Sequence, residues 1–200
     1  MFFEIQCSQV LNVVAFHSVD TCDLQPNEWF AVIGAGGLGQ LATQYARAMG
    51  SNVVAIDVND DTLEVCKQQG ANACFNSKTD PDYVTKIQEL TKGGVHAAAV
   101  YSNASAAYSS APQILRLGGT LMFIGIPSKP VEVSALELVL GRYKIRSDNV
   151  STAGRMQKAL DFSVKHSIQP QFVLKKLEDL DDMVKQMRAG TATRRMVVSF

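Results

Sequence analysis

The architecture follows from residues 29–57, whose sequence is WFAVIGAGGLGQLATQYARAMGSNVVAID. The run Trp29–Ile33 is short, continuous and apolar, as expected of a strand that is buried on both faces. A glycine-rich loop, Gly34–Gly39, follows it directly and leads into a helical pattern over Leu38–Met49. A second apolar run, Asn52–Asp57, then ends on an acidic residue. A strand, a glycine loop, a helix and a strand in this order predict a βαβ unit.

The glycine loop matches the pattern G-x-G-x-x-G, which is typical of dinucleotide binding. Gly34 permits a tight turn, Gly36 lets the backbone approach a pyrophosphate, and Gly39 lets the helix pack closely on the strand. The start of the helix, at Gly37 and Leu38, offers N–H groups and a positive dipole end to the phosphates. The loop therefore predicts a phosphate-binding turn.

Asp57 supports this prediction because it ends the second strand, 18 residues after Gly39, close to the ~20 residues expected of the motif. Its carboxylate should accept hydrogen bonds from the adenosine ribose hydroxyls, and a 2′-phosphate there would meet like charge. The next residue is Val58 and not an arginine, so NAD(H) is favoured over NADP(H). The alternative is that Asp57 only caps a turn with Asn59 and Asp60.

The rest of the chain continues to alternate apolar runs with helical patterns. Further strands are predicted at Ala73–Phe75, Ala97–Val100, Thr120–Ile124 and Tyr143–Ser147, and helices at Thr62–Gln69, Pro81–Leu90, Ala104–Leu117 and Leu136–Leu140. Gly118-Gly119 is predicted as a tight turn before the fifth strand. The pattern predicts an α/β fold, a doubly wound parallel six-stranded Rossmann sheet in the order 3-2-1-4-5-6.

Three regions are expected: an N-terminal remnant segment over residues 1–28, the NAD-binding Rossmann domain over 29–147, and a C-terminal segment over 148–200. The last should be a small α+β appendage, with elements at Thr152–His166, Phe172–Leu174, Leu180–Arg188 and Arg195–Val198.

Composition excludes several classes of partner. Lys+Arg and Asp+Glu both number 19, so the formal net charge is zero and nothing would draw the chain to a nucleic acid or an anionic membrane. The start, MFFEIQCSQV, is a poor signal peptide, and no stretch approaches the ~20 apolar residues of a membrane helix. The four cysteines show no CxxC pair, which favours reduced thiols and a cytoplasmic location.

Several stretches together resemble one family. They are GAGGLGQLATQYARAMG, GVHAAAVYSNAS, LRLGGTLMFIGIP, KALDF and RRMVVSF. In this order they resemble the nucleotide-binding half of zinc-dependent alcohol dehydrogenases, the medium-chain dehydrogenase/reductase family, over roughly Val13 to Phe200. The family's catalytic domain is not recognisable, so the expectation is a truncated form or a truncated gene model.

The resemblance implies positions around the cofactor. Tyr101 and Ser102 should flank it, Ile124, Gly125 and Ile126 should line the nicotinamide with backbone groups meeting its carboxamide, and Arg195 should meet the pyrophosphate. Without the resemblance, Arg195 would be interpreted as a solvated strand-end charge. The resemblance also implies a homodimer through the strand Tyr143–Ser147, whereas Lys144 and Arg146 would otherwise be interpreted as protecting an open edge.

The chemistry is less well defined. No zinc-ligand motif is recognisable, and only Cys7, His17 and Cys22 are expected to approach the site, so no bound zinc is predicted. No tyrosine has a lysine four residues later. Tyr101, Ser102 and His17 stay as weak candidates for a proton donor.

Two functions remain open at this point. The first is an NAD(H)-linked oxidoreductase that acts without zinc on a bulky apolar alcohol or carbonyl compound. The second is a cofactor-binding remnant or pseudoenzyme, recruited to a non-redox reaction such as isomerisation or cyclisation, or to protein interaction.

Overall fold

The computed structural model of the protein describes residues 12–148, 153–192 and 194–198. Cys7 and the start of the helix predicted at Thr152 lie outside these residues. The strands are β1 (Trp29–Ile33), β2 (Asn52–Asp57), β3 (Ala73–Asn76), β4 (Val95–Val100), β5 (Leu115–Phe123), β6 (Tyr143–Ser147), β7 (Phe172–Lys175) and β8 (Arg195–Val198). Residues 12–20 are helical and are called α1. The later helices are α2 (Gly37–Ala48), α3 (Asp60–Gln68), α4 (Tyr83–Thr91), α5 (Ser105–Ile114), α6 (Ala135–Val139), α7 (Ala153–Lys165) and α8 (Leu180–Ala189).

The predicted parallel sheet is confirmed. Six strands pair in the order β3-β2-β1-β4-β5-β6. Ile33 at the end of β1 is level with Ile56 on one side and with Val100 on the other. The order reverses between β1 and β4, so a crevice opens beyond the carboxyl ends of these strands.

The flanking segments share their core with the sheet. Phe16 of α1, Tyr45 of α2 and Phe162 of α7 form an aromatic cluster with ring centroids 5.3–6.2 Å apart. The Tyr45 hydroxyl lies 2.6 Å from Ser163 Oγ, and Ser163 Oγ donates to the Ala159 carbonyl, so the Tyr45 phenol donates to Ser163. The two helices α1 and α7 therefore cover one face of the Rossmann core.

The small C-terminal α+β appendage is also present, because β7 and β8 form a separate two-stranded parallel sheet. The helix α8 connects these strands in sequence. No helix within the described residues is long and apolar enough to cross a membrane.

The start of β5 corrects the sequence prediction. Leu115–Leu117 were assigned to a helix and Gly118-Gly119 to a tight turn, but β5 begins at Leu115 and contains both glycines. The pairing of β4 with β5 shifts register, from Val95 opposite Leu115 to Ala97 opposite Thr120. The extra residues of β5 are accommodated by this irregularity, where Gly118 has a φ of +76°. The other predicted boundaries agree within two residues.

Candidate functional site

Neighbouring atoms lie so close to the glycine loop that Gly34 and Gly39 have no room for a side chain. Gly34 has a φ of +98°, and a Cβ built on it would lie 2.9 Å from the Ser102 nitrogen. A Cβ on Gly39 would lie 2.0 Å from the Gly34 carbonyl oxygen and 2.9 Å from Val32 Cγ1. The loop therefore contacts both the start of α2 and the chain that leaves β4.

Gly36 differs from these two residues. Its φ is −70°, which any residue adopts, and a Cβ built on it would meet no atom within 4 Å. Gly36 borders the open crevice, so a side chain there would fill space that the fold leaves empty. It also caps α2 without a side-chain hydrogen bond, and the first N–H groups of a helix have no partner within the helix. The open space at Gly36 and the N–H groups at the start of α2 together fit an anionic group such as a pyrophosphate.

A cleft of about 620 Å³ contains most of the predicted cofactor residues. Its lining includes Gly34, Gly36, Gly37, Leu38, Gly39, Asp57, Tyr101, Ser102, Gly125, Ile126 and Arg195. Ile124 instead packs against the core and lines an adjoining pocket. Asn103, which the sequence places with Tyr101 and Ser102 at the corner between β1 and β4, also lines the cleft. Sequence reasoning missed four further lining residues, Met187, Ala192, Arg194 and Met196. These four come from α8, β8 and the segment between them, whose approach to the cleft depends on tertiary packing.

Asp57 is held by three backbone amides. Oδ1 accepts from the nitrogens of Val58 and Asn59, at 2.7 and 3.0 Å, and Oδ2 accepts from the Ala35 nitrogen at 2.5 Å. The carboxylate thus caps the turn after β2 and also connects that turn to the glycine loop. Because a carboxylate has about four lone-pair positions, these bonds leave capacity for a ligand hydroxyl.

Tyr101 and Ser102 lie where β4 ends. The Tyr101 hydroxyl lies 2.6 Å from Ser18 Oγ, and Ser18 Oγ donates its proton to the Ala15 carbonyl. The phenol proton of Tyr101 is therefore donated to Ser18. Burial raises the pKa of Tyr101 well above its usual value, against the opposing effect of the Ser18 bond. In this arrangement Tyr101 is a wall of the cleft, and its proton is directed away from it. Ser102 Oγ accepts from the Ala104 nitrogen.

His17 and Cys22, the two described candidates for a metal site, face the protein interior. His17 is 3% exposed, and its Nε2–H donates to the Arg155 carbonyl at 3.0 Å. The Cys22 thiol donates to the Ser18 carbonyl, and burial raises its pKa to about 12. Within residues 12–148, 153–192 and 194–198, no three His, Cys, Asp or Glu side chains come together as a metal-binding group. These residues therefore do not fit a catalytic zinc.

A Rossmann sheet with a glycine-rich loop at its switch point is common to many dehydrogenases, and the comparisons identify which group this chain represents. The family model for zinc-binding dehydrogenases matches residues 37–165. The chain belongs to this family of alcohol dehydrogenase-like oxidoreductases, which confirms the resemblance.

Particular relatives are alcohol dehydrogenases. One from Geobacillus stearothermophilus is 36% identical over 93% of this chain and 55% of its own length. The crystal structure of the enzyme from Aeropyrum pernix has a TM-score of 0.89 at 22% identity, covering 98% of this chain and 57% of that one. Acetophenone reductase from Geotrichum candidum in complex with NAD has a TM-score of 0.81 at 20% identity, covering 96% and 54%. The two structures show a shared fold, and this chain spans about half the length of these relatives.

Proposed function

We propose that this chain binds NAD(H) and forms the cofactor-binding half of an alcohol dehydrogenase-like oxidoreductase. The observation that carries the proposal is the single cleft, which brings together the glycine loop, the start of α2 and Asp57. These groups provide backbone N–H donors for a pyrophosphate and a carboxylate for ribose hydroxyls.

The charges in the cleft agree with a dinucleotide whose pyrophosphate lies at the start of α2 and whose ribose lies at Asp57. Arg194 and Arg195 line it on the side of β8, and the Cβ of Arg195 lies near Gly37, 3.9 Å from a Cβ built there. An arginine at this place supplies a cation opposite the helix N-terminus, where the phosphates would lie. Asp57 supplies the only carboxylate of the described lining, so a ribose 2′-phosphate beside it would be repelled and NAD(H) would be preferred to NADP(H).

A smaller depression of about 270 Å³ continues the cleft beyond Asp57. Its walls include Ile56, Val58, Tyr83 and Ala107, while Gly34, Asp57 and Ser102 border both spaces. Apolar walls of this kind suit the flat faces of an adenine ring. We therefore assign this depression to the adenine, with Asp57 between it and the phosphates.

The opposite end of the cleft is apolar and open. Ile126 is 87% exposed at its border, and Ile124 lies next to it. At this end, bound NAD would accept hydride and bound NADH would supply it. We propose a bulky apolar alcohol or carbonyl compound as the substrate, because the exposed isoleucine would gain burial against it.

Gly36→Ala tests the cofactor proposal. The added methyl group enters the cleft without touching the fold, so thermal unfolding without cofactor should differ from the wild type by no more than the ~1 kcal/mol that a poorer N-cap costs. NADH binding, measured by calorimetry, should weaken about tenfold or more, since a displaced phosphate loses a charge-assisted hydrogen bond of roughly 1.5–3 kcal/mol. Unchanged NADH affinity in this variant, or tighter binding of NADPH than NADH by the wild type, would contradict the proposal.

A second candidate function is cofactor binding without redox turnover by this chain. It is favoured by the direction of the Tyr101 proton, which is bonded to Ser18 and leaves the cleft without that proton donor. The two candidates differ in one assay. Reduction of NAD by an aromatic alcohol would support the oxidoreductase, and tight NADH binding with no turnover of either aromatic alcohols or ethanol would support the second.

We also propose a homodimer through β6. This strand is one of the two edges of the six-stranded sheet. Beside it, α6 exposes Leu136 and Val139, and the residue after the helix, Leu140, is exposed too, with Val139 84% exposed. An open edge next to apolar side chains suits pairing with a second copy. Sedimentation should give a dimer at micromolar concentration, which Val139→Lys should weaken while the matched surface change Val164→Lys on α7 should not. A monomer at all concentrations would refute this arrangement.

A further inference from the structure

Another pocket, of about 560 Å³, lies at the amino ends of the strands, away from the cofactor cleft. Its walls come from α4, α5, α6 and the first residues of two strands, since Leu115 begins β5 and Tyr143 begins β6. Its volume falls within the range of about 300–1,000 Å³ that is usual for small-molecule sites. Among the described residues, none lines both this pocket and the cofactor cleft. A ligand here would therefore not overlap a bound dinucleotide.

Arg142 lines this pocket with an available guanidinium. Within residues 12–148, 153–192 and 194–198, that guanidinium has no hydrogen-bond or ion-pair partner. The backbone of Arg142 is nevertheless fixed, since its nitrogen donates to the Glu137 carbonyl at 2.9 Å and its carbonyl accepts from the Gly118 nitrogen at 2.8 Å. A guanidinium presents five N–H donors in a planar fork that matches a carboxylate. Arg142 thus offers an anchored cation to a carboxylate in the pocket.

The Glu137 carboxylate lines the same pocket and is held by Tyr143. Burial raises the pKa of Tyr143, and the charge of Glu137 and a hydrogen bond between the two side chains raise it further. The phenol is therefore protonated and donates to the carboxylate. This bond uses one of about four lone-pair positions, and no other side-chain bond of Glu137 occurs in the described part of the chain. The carboxylate keeps capacity for a further donor.

Glu137 and Arg142 carry opposite charges but do not pair with each other. They are joined only through the backbone, at the turn between α6 and β6, and in the described structure their charged groups stay more than 4.0 Å apart. Two opposite charges that line one pocket without meeting fit a molecule that carries both charges itself. A direct pair of this exposed kind would stabilise the fold very little, so a ligand that separates the two groups loses little.

Apolar side chains complete the pocket. Pro112, Leu115 and Leu117 contribute to its walls, and Leu117 is 76% exposed. A leucine that is so exposed gains free energy when a ligand covers it. Gln88 Nε2 donates to the Gln113 carbonyl at 2.7 Å, which joins α4 to α5 and fixes the wall that these two helices form. The pocket therefore combines a cation, an anion and an apolar surface.

We propose that this pocket binds a free α-amino acid with a large apolar side chain. Arg142 donates to its carboxylate, Glu137 accepts from its ammonium group, and its side chain packs on Leu115 and Leu117. A free amino acid carries both charges on one carbon atom, whereas a peptide terminus carries only one of them, so the pocket selects the single amino acid. This binding is separate from the proposed NAD(H) function.

Three probes test the proposal on the unmodified protein: L-phenylalanine, 3-phenylpropanoate and 2-phenylethylamine. All three carry the same ring, but the second lacks the ammonium group and the third lacks the carboxylate. In a titration followed by NMR, L-phenylalanine should bind saturably with a Kd of about 1 mM or below. Each of the other two should bind about tenfold more weakly, the effect of losing one hydrogen bond to a charged group. The absence of saturable L-phenylalanine binding, or equal affinities for the three probes, would overturn the proposal.

Variants locate the two charges. Glu137→Gln should weaken L-phenylalanine binding about tenfold and leave 3-phenylpropanoate binding within about twofold. Arg142→Ala should weaken L-phenylalanine and 3-phenylpropanoate about tenfold and leave 2-phenylethylamine within about twofold. Glu132→Gln and Arg188→Ala are the matched controls, because both residues are exposed and lie outside the pocket. These two controls should change none of the three affinities.

The same variants show whether the fold or the pocket has changed. NADH should bind Glu137→Gln, Arg142→Ala and the wild type within about twofold, and an excess of NADH should not displace L-phenylalanine. A Glu137→Gln variant that still prefers L-phenylalanine to 3-phenylpropanoate would overturn the proposal, as would displacement of L-phenylalanine by NADH or an equal loss in the two control variants. A wild type that binds L-phenylalanine but not NADH would refute the proposed cofactor function and support this site.

Discussion

Replacing Asp57 by asparagine should lower the free energy of unfolding by about 1.5–3 kcal/mol even without cofactor, the range for one hydrogen bond to a charged group. The two carboxylate oxygens serve opposite sides of the residue, since Oδ1 accepts from Val58 and Asn59 and Oδ2 accepts from Ala35. An asparagine side chain has one oxygen. If that oxygen keeps the two turn amides, its NH₂ group faces the N–H of Ala35, which is fully buried, and one charge-assisted bond is lost.

The assay is thermal unfolding of the cofactor-free protein by calorimetry. At roughly 2–4 °C per kcal/mol for a chain of this size, the midpoint should fall by about 3–12 °C. Asp61→Asn is the matched control, because it removes a carboxylate from the first turn of α3 and should cost at most about 0.3–1 kcal/mol through the helix dipole. A midpoint for Asp57→Asn equal to that of the wild type would refute the reasoning. The same variant should narrow the difference in affinity between NADH and NADPH.

Two further predictions concern stability. Gly39→Ala should destabilise the fold by at least about 1–3 kcal/mol in urea unfolding, since its Cβ would lie 2.0 Å from the Gly34 carbonyl oxygen; a variant as stable as Gly36→Ala would contradict this. His96 Nδ1 accepts from the Trp29 nitrogen at 3.1 Å, and its pKa is lowered by burial, with Glu28 raising it and Arg116 lowering it further. Because the unfolded chain then binds the proton more readily, this contribution to stability is present above about pH 6.5 and is lost as the pH falls through the lower folded pKa. His96→Asn, which keeps an acceptor for Trp29, should show a smaller loss of stability between neutral and mildly acidic pH, and an unchanged pH slope would count against the role of His96.

The sequence predicted the central strands well because each is a short apolar run between clear breaks. Trp29–Ile33 and Asn52–Asp57 have the predicted bounds, since burial on both faces leaves a continuous apolar signal and glycine ends the adjacent elements. The predicted start of β5 was wrong because Leu115–Leu117 continue the apolar pattern of the preceding helix. What makes them a strand is pairing with β4, a contact that local sequence does not show.

The site was predicted where a motif carries the chemistry within a few residues, as in Gly34–Gly39. It was missed where side chains from distant segments meet. Nothing in the sequence joins Ser18 to Tyr101, which are 83 residues apart. Likewise, the ion pair between Arg155 and Asp148 forms only because α7 packs close to the end of β6. The spacing of the glycines identified the phosphate-binding loop, whereas tertiary packing determines which polar groups surround it.

The packing of α1 against α7 has a consequence for synthesis on the ribosome. His17 bonds to Arg155, and Asp20 bonds to Lys158, each across 138 residues. The apolar side of α1, with the buried side chains of Val13 and Phe16, can pack on α2 early, through Tyr45, but it cannot complete its contacts until α7 has been translated. At about 5–20 residues per second, translating the 138 residues between His17 and Arg155 takes roughly 7–28 s, and during that time the part of α1 that α7 will cover is exposed on the nascent chain.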